Sequence, residues 1–224
     1  MTILVWNVRG INDPLKQKSM VARIRQLKIQ LVCLLETRVK ENKSQQIIDR
    51  YFHGWNWINN YSSAYNGRIW LLWEDQIQVS QIDSTAQCIT CSVTMEPSQF
   101  YLTVVYGYNE GTTRRRLWSK LSWLHGSLSQ SPWMLAGDFN ITADLSESSN
   151  FNGSQGLSND MKEFKDVVQK VAVFDHPFTG PLFTWSNHQG EGFLARKLDR
   201  VLINDKWFFF FYSIYSRISS SRRF

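Results

Sequence analysis

Short apolar and β-branched runs recur along almost the whole chain, and they restrict it to a layered fold built largely on strands. They cover residues 3–8, 31–35, 69–73, 77–82, 88–95, 101–106, 133–136, 183–186 and 198–203. Helical periodicity is rarer. Met20, Ile24 and Leu27 fall at i, i+4 and i+7, as do Leu117, Leu121 and Leu124; Met161, Phe164 and Val168 fall at i, i+3 and i+7. Thr112 or Thr113 can cap the second of these helices and Ser158 the third. Strands in direct succession, with helices between others, predict an α/β fold of two β-sheets packed face to face with helices outside. The stretch 146–158, rich in Ser, Asn and Gly, reads as a surface loop, so 224 residues make one domain or one plus a short tail.

The run Trp133-Met134-Leu135-Ala136 ends on Gly137-Asp138-Phe139-Asn140. Strand alternation aims Asp138 and Asn140 the same way and turns Phe139 inward. A carboxylate beside a carboxamide suits phosphoryl chemistry, in which an acid-base or metal-positioning group stands next to a donor that holds the phosphate. Asp and Asn are equally ordinary turn residues after a strand. Other runs deliver polar residues too. Asn7 and Glu36 end theirs, and Asp199 lies at the start of its own, between Lys197 and Arg200. Brought to one rim, these groups would form a hard, oxygen-rich site for Mg²⁺ or Mn²⁺. Taken singly, each is as well explained by closing a strand or pairing with an arginine, and pattern alone leaves both readings open.

The formal charge of +6 gathers at one end: residues 196–224 hold seven Lys/Arg against two Asp, which is +5 of the total. That is a modest pointer to a polyanionic partner. The ten Trp can fill a core or stack on bases. Three Cys give no disulfide framework and suit a reducing compartment. Cys88 and Cys91 fall on an alternating, half-buried strand, where an offset of three points the thiols to opposite faces, so they form no zinc site. The chain starts on a strand with no signal-like segment, and its longest apolar run, 207–212, is too short to span a bilayer. An intracellular protein without membrane association is expected.

Six segments now stand in a telling order: Trp6-Asn7-Val8-Arg9-Gly10, Leu35-Glu36-Thr37, Val105-Tyr106-Gly107-Tyr108-Asn109, Gly137-Asp138-Phe139-Asn140, Phe183-Thr184-Trp185-Ser186-Asn187 and Leu198-Asp199-Arg200-Val201-Leu202. Together they resemble the endonuclease/exonuclease/phosphatase superfamily, and within it the apurinic-type endonuclease domain of plant LINE-type non-LTR retroelements. The likeness covers residues 1–206 and leaves 207–224 as an aberrant aromatic and Ser/Arg tail. It implies a four-layer α/β sandwich and Mg²⁺- or Mn²⁺-dependent cleavage of DNA by a monomer, nuclear if functional. By the same resemblance, Glu36 and Asn7 hold the metal, Asp138 positions or activates water, and Asn140 holds the scissile phosphate. Tyr106 resembles the phosphate-contacting tyrosine, Asn109 the asparagine that follows it, and Asp199 the carboxylate that orients a catalytic histidine.

One part of the pattern is missing. The family's last motif is Ser-Asp-His, and none of His53, His125, His176 and His188 lies in such a setting; His176 follows Asp175 but comes too early in the order. The resemblance therefore implies an endonuclease domain with impaired catalysis. A non-catalytic nucleic-acid-binding relic is the alternative, and a phosphatase or RNA hydrolase of the same superfamily is a third reading. Arg114-Arg115-Arg116, just after the Tyr106–Asn109 segment, is either a solvated basic face or a contact to the DNA backbone, with Arg114 and Arg115 the candidate substrate ligands. Trp185 either lines a substrate pocket or packs in the core.

Overall fold

The computed structural model describes residues 1–151, 156–211 and 215–218. They divide into two compact units, Met1–Tyr106 and the chain from Gly107 onward.

In the first unit, β1 (Ile3–Asn7) and β2 (Leu31–Leu35) run parallel and are joined by α1 (Pro14–Gln26). Helix α2 (Glu41–Tyr51) follows, then β3 (Trp55–Asn59) and β4 (Ile69–Glu74), giving the sheet order β1-β2-β4-β3. Asp13 starts α1 by accepting a hydrogen bond from the Leu15 N–H at 2.9 Å, and Pro14 fits the first helical position, where no N–H is needed. Met20, Val21 and Ile24 of α1 and Ile47 and Ile48 of α2 cover Val32, Leu34, Trp70 and Leu72 of the sheet. Burial of each such side chain contributes about 1.5–3 kcal/mol, so Leu34→Ala would cost roughly 2–5 kcal/mol.

Strands β5 (Gln78–Ser84), β6 (Cys88–Met95) and β7 (Ser98–Tyr106) complete this unit as an antiparallel meander. The half-buried alternation expected for β6 is not what forms. Cys88, Ile89, Thr90 and Cys91 are all fully buried, and the Thr90 and Thr103 hydroxyls bond each other at 3.0 Å, which lets a polar pair sit inside. Strand β2 of the first sheet lies against β7 of the meander, so within this unit the two sheets meet.

The second unit holds α3 (Gly111–Leu128), β8 (Trp133–Asp138), a 3₁₀ turn at Leu145–Glu147, α4 (Asn159–Lys170), β9 (Val173–Asp175), β10 (Phe178–Thr179), β11 (Trp185–Ser186), β12 (Ala195–Arg196), β13 (Asp199–Asn204), α5 (Asp205–Phe210) and β14 (Ser216–Arg217). Strand β13 lies antiparallel to both β8 and β9. Ser158 caps α4 as expected, its hydroxyl accepting from the Met161 N–H at 3.2 Å. Helix α3 instead starts after Glu110, with neither Thr112 nor Thr113 as the cap. Phe164 of α4 stacks on Trp118 of α3 at 5.2 Å and leans on Phe139 at 5.6 Å, which fixes the loop after β8 against both helices.

The boundary expected between residues 206 and 207 falls inside α5. Asn204 caps that helix, accepting from the Trp207 N–H and also from the Trp133 N–H, each at 3.0 Å, and Trp207 is only 2 % exposed. Residues 207–210 of the aromatic run are thus helical, with Trp207 turned in and Phe208, Phe209 and Phe210 exposed, while 212–214 and 219–224 of the expected tail lie outside the described residues. Along the chain the strands form two large mixed sheets, of four and six strands, with helices, which is the α/β class expected. Among the described residues no helix is long and apolar enough to cross a membrane.

Candidate functional site

In the first unit the parallel pairing of β1 and β2 continues past both strands. Val8 N–H bonds Leu35 O at 3.0 Å, Gly10 N–H bonds Glu36 O at 2.7 Å, and Ile11 N–H bonds Thr37 O at 2.9 Å. Asn7 is therefore placed beside Leu35 and next to Glu36, at the carboxyl ends of neighbouring parallel strands. That is where ligands bind in α/β sheets. Arg9, Glu36 and Arg38 all take positive φ, near +50°, which costs each non-glycine residue of order 1 kcal/mol. Asn7 Oδ1 accepts from the Arg9 N–H at 3.1 Å, and the largely buried Glu36 carboxylate pairs with the exposed Arg38.

Tyr106, at the end of β7, joins this group through Arg68. The Arg68 carbonyl accepts from the Glu36 N–H at 2.6 Å, while its guanidinium lies 5.4 Å from the centre of the Tyr106 ring. Lys16 also belongs here. Its pKa is lowered, first by burial and then by the positive charges of Arg9 and Arg38.

In the second unit Asp138 ends β8 directly opposite Asp199 of β13. Two residues later the chain turns back: the Asn140 N–H donates to Asp138 Oδ1 at 2.9 Å, and the Asn140 side-chain amide donates to Gly107 O at 2.7 Å. Gly107 N–H in turn bonds Asp138 O at 2.8 Å. Asn140 has φ +51, so a turn, rather than continued strand alternation, sets its direction. Phe139 is fully buried, as the alternation predicts. Asp199 is held by Thr184, whose hydroxyl accepts from the Leu198 and Asp199 N–H groups at 3.1 and 3.0 Å, and Trp185 follows Thr184 on β11.

The three arginines do not share a face. Successive helical residues point about 100° apart, and Arg114 turns inward at 2 % exposure, Arg115 pairs with Glu163 at 2.8 Å, and Arg116 is exposed. Arg114 donates from Nη1 to the carbonyls of Tyr108 at 2.7 Å, Asn109 at 3.1 Å and Asn140 at 2.9 Å, and from Nη2 to Asp160 at 3.1 Å. Its guanidinium lies in the interior and is not part of a basic surface.

Residues 4–220 match the sequence pattern of the endonuclease/exonuclease/phosphatase family. The chain belongs to that family. A search of curated proteins by sequence finds no match. Among solved structures, the endonuclease domain of TRAS1, a telomere-specific non-LTR retrotransposon, superposes with a TM-score of 0.70 at 10% identity, covering 91% of this chain and 84% of that one. A β-hairpin deletion mutant of the Staphylococcus aureus β toxin gives 0.65 at 12% identity over 99% and 92% of the two chains. TDP2 from Caenorhabditis elegans gives 0.58 at 12% identity over 89% and 63%. At these identities the likeness is one of fold.

Within this family member, the donors suited to a divalent ion are the Glu36 carboxylate and the Asn7 amide oxygen, both hard ligands of the kind Mg²⁺ takes. Among the described residues no three His, Cys, Asp or Glu gather as a metal cage. A Mg²⁺ site commonly uses one or two carboxylates with water and substrate phosphate, so this donor set fits the ion. His176 is committed elsewhere: its Nδ1 lies 2.8 Å from Pro177 O and 2.9 Å from Ser216 Oγ, and its neighbour Asp175 pairs with Arg200 and Lys197.

Two residues of the site were given no role by the sequence. Gly107 is one, since a Cβ there would lie 2.7 Å from Phe139 O. Glu147 is another. It pairs with Arg200 and Lys197 and accepts the Ala143 N–H at 2.6 Å, tying the loop after Asn140 to β13. Its signal was present as a capping box, Asp144-x-x-Glu147.

Proposed function

We propose that this family member is a divalent-metal-dependent phosphodiesterase that nicks DNA, derived from a LINE-type non-LTR retroelement of plants. The observation that carries the reading is the Asp138–Asp199 pair across β8 and β13, with Asn140 turned back beside it on Gly107. Likeness to the TRAS1 endonuclease domain and the six ordered motifs favour DNA over the other substrates this fold accepts.

In this reading Asp138 accepts the proton of the attacking water. Asn140 uses one amide hydrogen on Gly107 O and keeps the second for a phosphate oxygen. Tyr106 and Asn109 contact phosphate, and Trp185 lines the approach. Glu36 and Asn7 would hold Mg²⁺, which would supply charge neutralisation to a bound phosphate. Arg115 and Arg116 are the members of the arginine triplet left on the surface, and Arg115 would exchange Glu163 for a DNA phosphate.

The 224 residues contain no Ser-Asp-His. Loss of a positioned acid-base group lowers turnover by roughly 10²–10⁴-fold, so slow nicking is the expected phenotype. Supercoiled plasmid incubated with Mg²⁺ tests this: slow conversion to the nicked circle, abolished by EDTA and by Asp138→Ala, supports the reading. The same missing motif favours a second reading, a nucleic-acid-binding relic. Plasmid binding with no Mg²⁺-dependent nicking at any enzyme concentration would establish that one instead.

A further inference from the structure

We infer that Arg114 is a positioning residue that locks the Tyr108–Asn109 segment and the Asn140 turn into a single unit. Its catalytic consequence rests on the phosphodiesterase reading above, whereas the coupling of the two loops does not. A surface arginine read as a DNA contact would leave its guanidinium in solvent. Arg114 instead places it under two loops: Nη1 meets Tyr108 O and Asn109 O on one side and, on the other, the O of Asn140, 26 residues from Arg114 in sequence.

Three carbonyls converging on one nitrogen form a site for a cation, and the charge is balanced by Asp160 on Nη2. Burial lowers the Arg114 pKa while Asp160, Glu163 and Asp138 raise it, so acids of the same unit favour the charged form. The two loops also bond each other, through Gly107 N–H to Asp138 O and Asn140 Nδ2 to Gly107 O. Those bonds need the backbones close. Gly107 permits the approach, and the Arg114 side chain packs against it, 3.5 Å from where a Cβ would be.

The position of Asp160 depends on a second glycine. A Cβ on Gly111 would fall 2.1 Å from Asp160 Oδ2. Gly111 begins α3, where Ala would ordinarily be the better helix former by about 0.5–1 kcal/mol. Its small size is explained by the carboxylate seated on it.

Lysine keeps the charge of arginine but is a point donor and lacks the planar fork that spans both loops. Arg114→Lys is expected to fold, with hydrogen exchange at the Gly107 and Asn140 amides faster by about 10-fold or more while Leu121 and Leu124 in α3 keep their protection. Nicking should lose roughly 10²-fold in kcat with KM little changed, the signature of misplaced groups rather than lost affinity. Gly111→Ala reaches the same clamp without touching Arg114, and should speed exchange at the same two amides by displacing Asp160. It carries the test if Arg114→Lys does not fold. Unchanged protection of Gly107 and Asn140 in a folded variant overturns the inference. A wild-type protein that never nicks overturns the phosphodiesterase reading, and the exchange result then still decides the coupling.

Discussion

Asp138 and Asp199 stand directly opposite one another across β8 and β13. Residues opposite in an antiparallel pair have Cβ atoms about 4.5–5.5 Å apart on one face, and like charges there repel. Pairs of like charge are typical of functional sites. Asp138→Asn should therefore separate function from stability. It keeps an oxygen to accept the Asn140 N–H, removes one carboxylate of the opposed pair, and abolishes the proposed base. Plasmid nicking should fall by about 10²–10⁴-fold, while the melting temperature holds or rises. A melting temperature that drops with activity would show that Asp138 serves the fold.

On the proposed reading, Arg38 would compete with a metal ion for Glu36. The two side chains are paired, and Arg38 is 65% exposed while Glu36 is 14% exposed, so the arginine can swing away. Glu36→Gln should remove the rise in melting temperature that Mg²⁺ gives the wild type, because a ligand stabilises only what it binds. Arg38→Gln should strengthen Mg²⁺ binding several-fold, read as a lower Mg²⁺ concentration for half-maximal thermal shift or nicking. Weaker binding in Arg38→Gln would mean that the arginine helps to build the site.

Glu147, Asp175, Lys197 and Arg200 form a compact four-charge group, with Lys197 and Arg200 almost wholly buried. Removing one member of a buried pair leaves charge without compensation, at about 3–5 kcal/mol. Glu147→Gln should sit near the low end, about 3 kcal/mol, because Asp175 still meets both cations. Urea unfolding measures it. A loss below roughly 0.5 kcal/mol, the range of a surface pair, would refute the buried character of the group.

Much of this was open to inspection in the sequence. Residues 31–35 and 88–95 form strands with the bounds read from their apolar runs, because each run is closed on both sides by polar residues. Helix α2 escaped notice because it is mostly polar and buries only Ser44, Ile47 and Ile48. Strands β9, β10, β11, β12 and β14 have two or three residues each, too few for any period to show. Asn7, Glu36, Asp138 and Asp199 were legible as polar ends of buried strands. Arg114 was misjudged by its neighbours: three adjacent arginines suggest a surface, yet Arg114, Leu117, Leu121, Leu124 and Leu128 continue one inward stripe at helical spacing. The clamp itself was not legible, since it depends on which carbonyls distant loops present.

The buried thiols predict an alkaline limit. Burial pushes Cys91 from 9.0 up to about 12, and burial with the nearby Cys91 pushes Cys33 well above 9.0. The unfolded chain loses these protons near the ordinary thiol pKa while the folded chain keeps them, so the stability they contribute is intact below about 9 and declines as pH rises from there toward 12. Thiol titration under native conditions at pH 8 should leave both groups unreacted. Unfolding free energy measured from pH 8 to 10 should fall, and the fall should shrink in Cys91→Ala.

The inward turn of Lys197 and Arg200 also changes what an approaching polyanion meets. Both count toward the +5 of residues 196–224, yet each is cancelled locally by Glu147 and Asp175. That lowers the net excess of this stretch from +5 to +3, and beyond a Debye length of about 8 Å at physiological ionic strength such charges are screened. For the proposed DNA substrate, long-range capture therefore gains nothing from Lys197 and Arg200. Recognition has to be earned at contact distance.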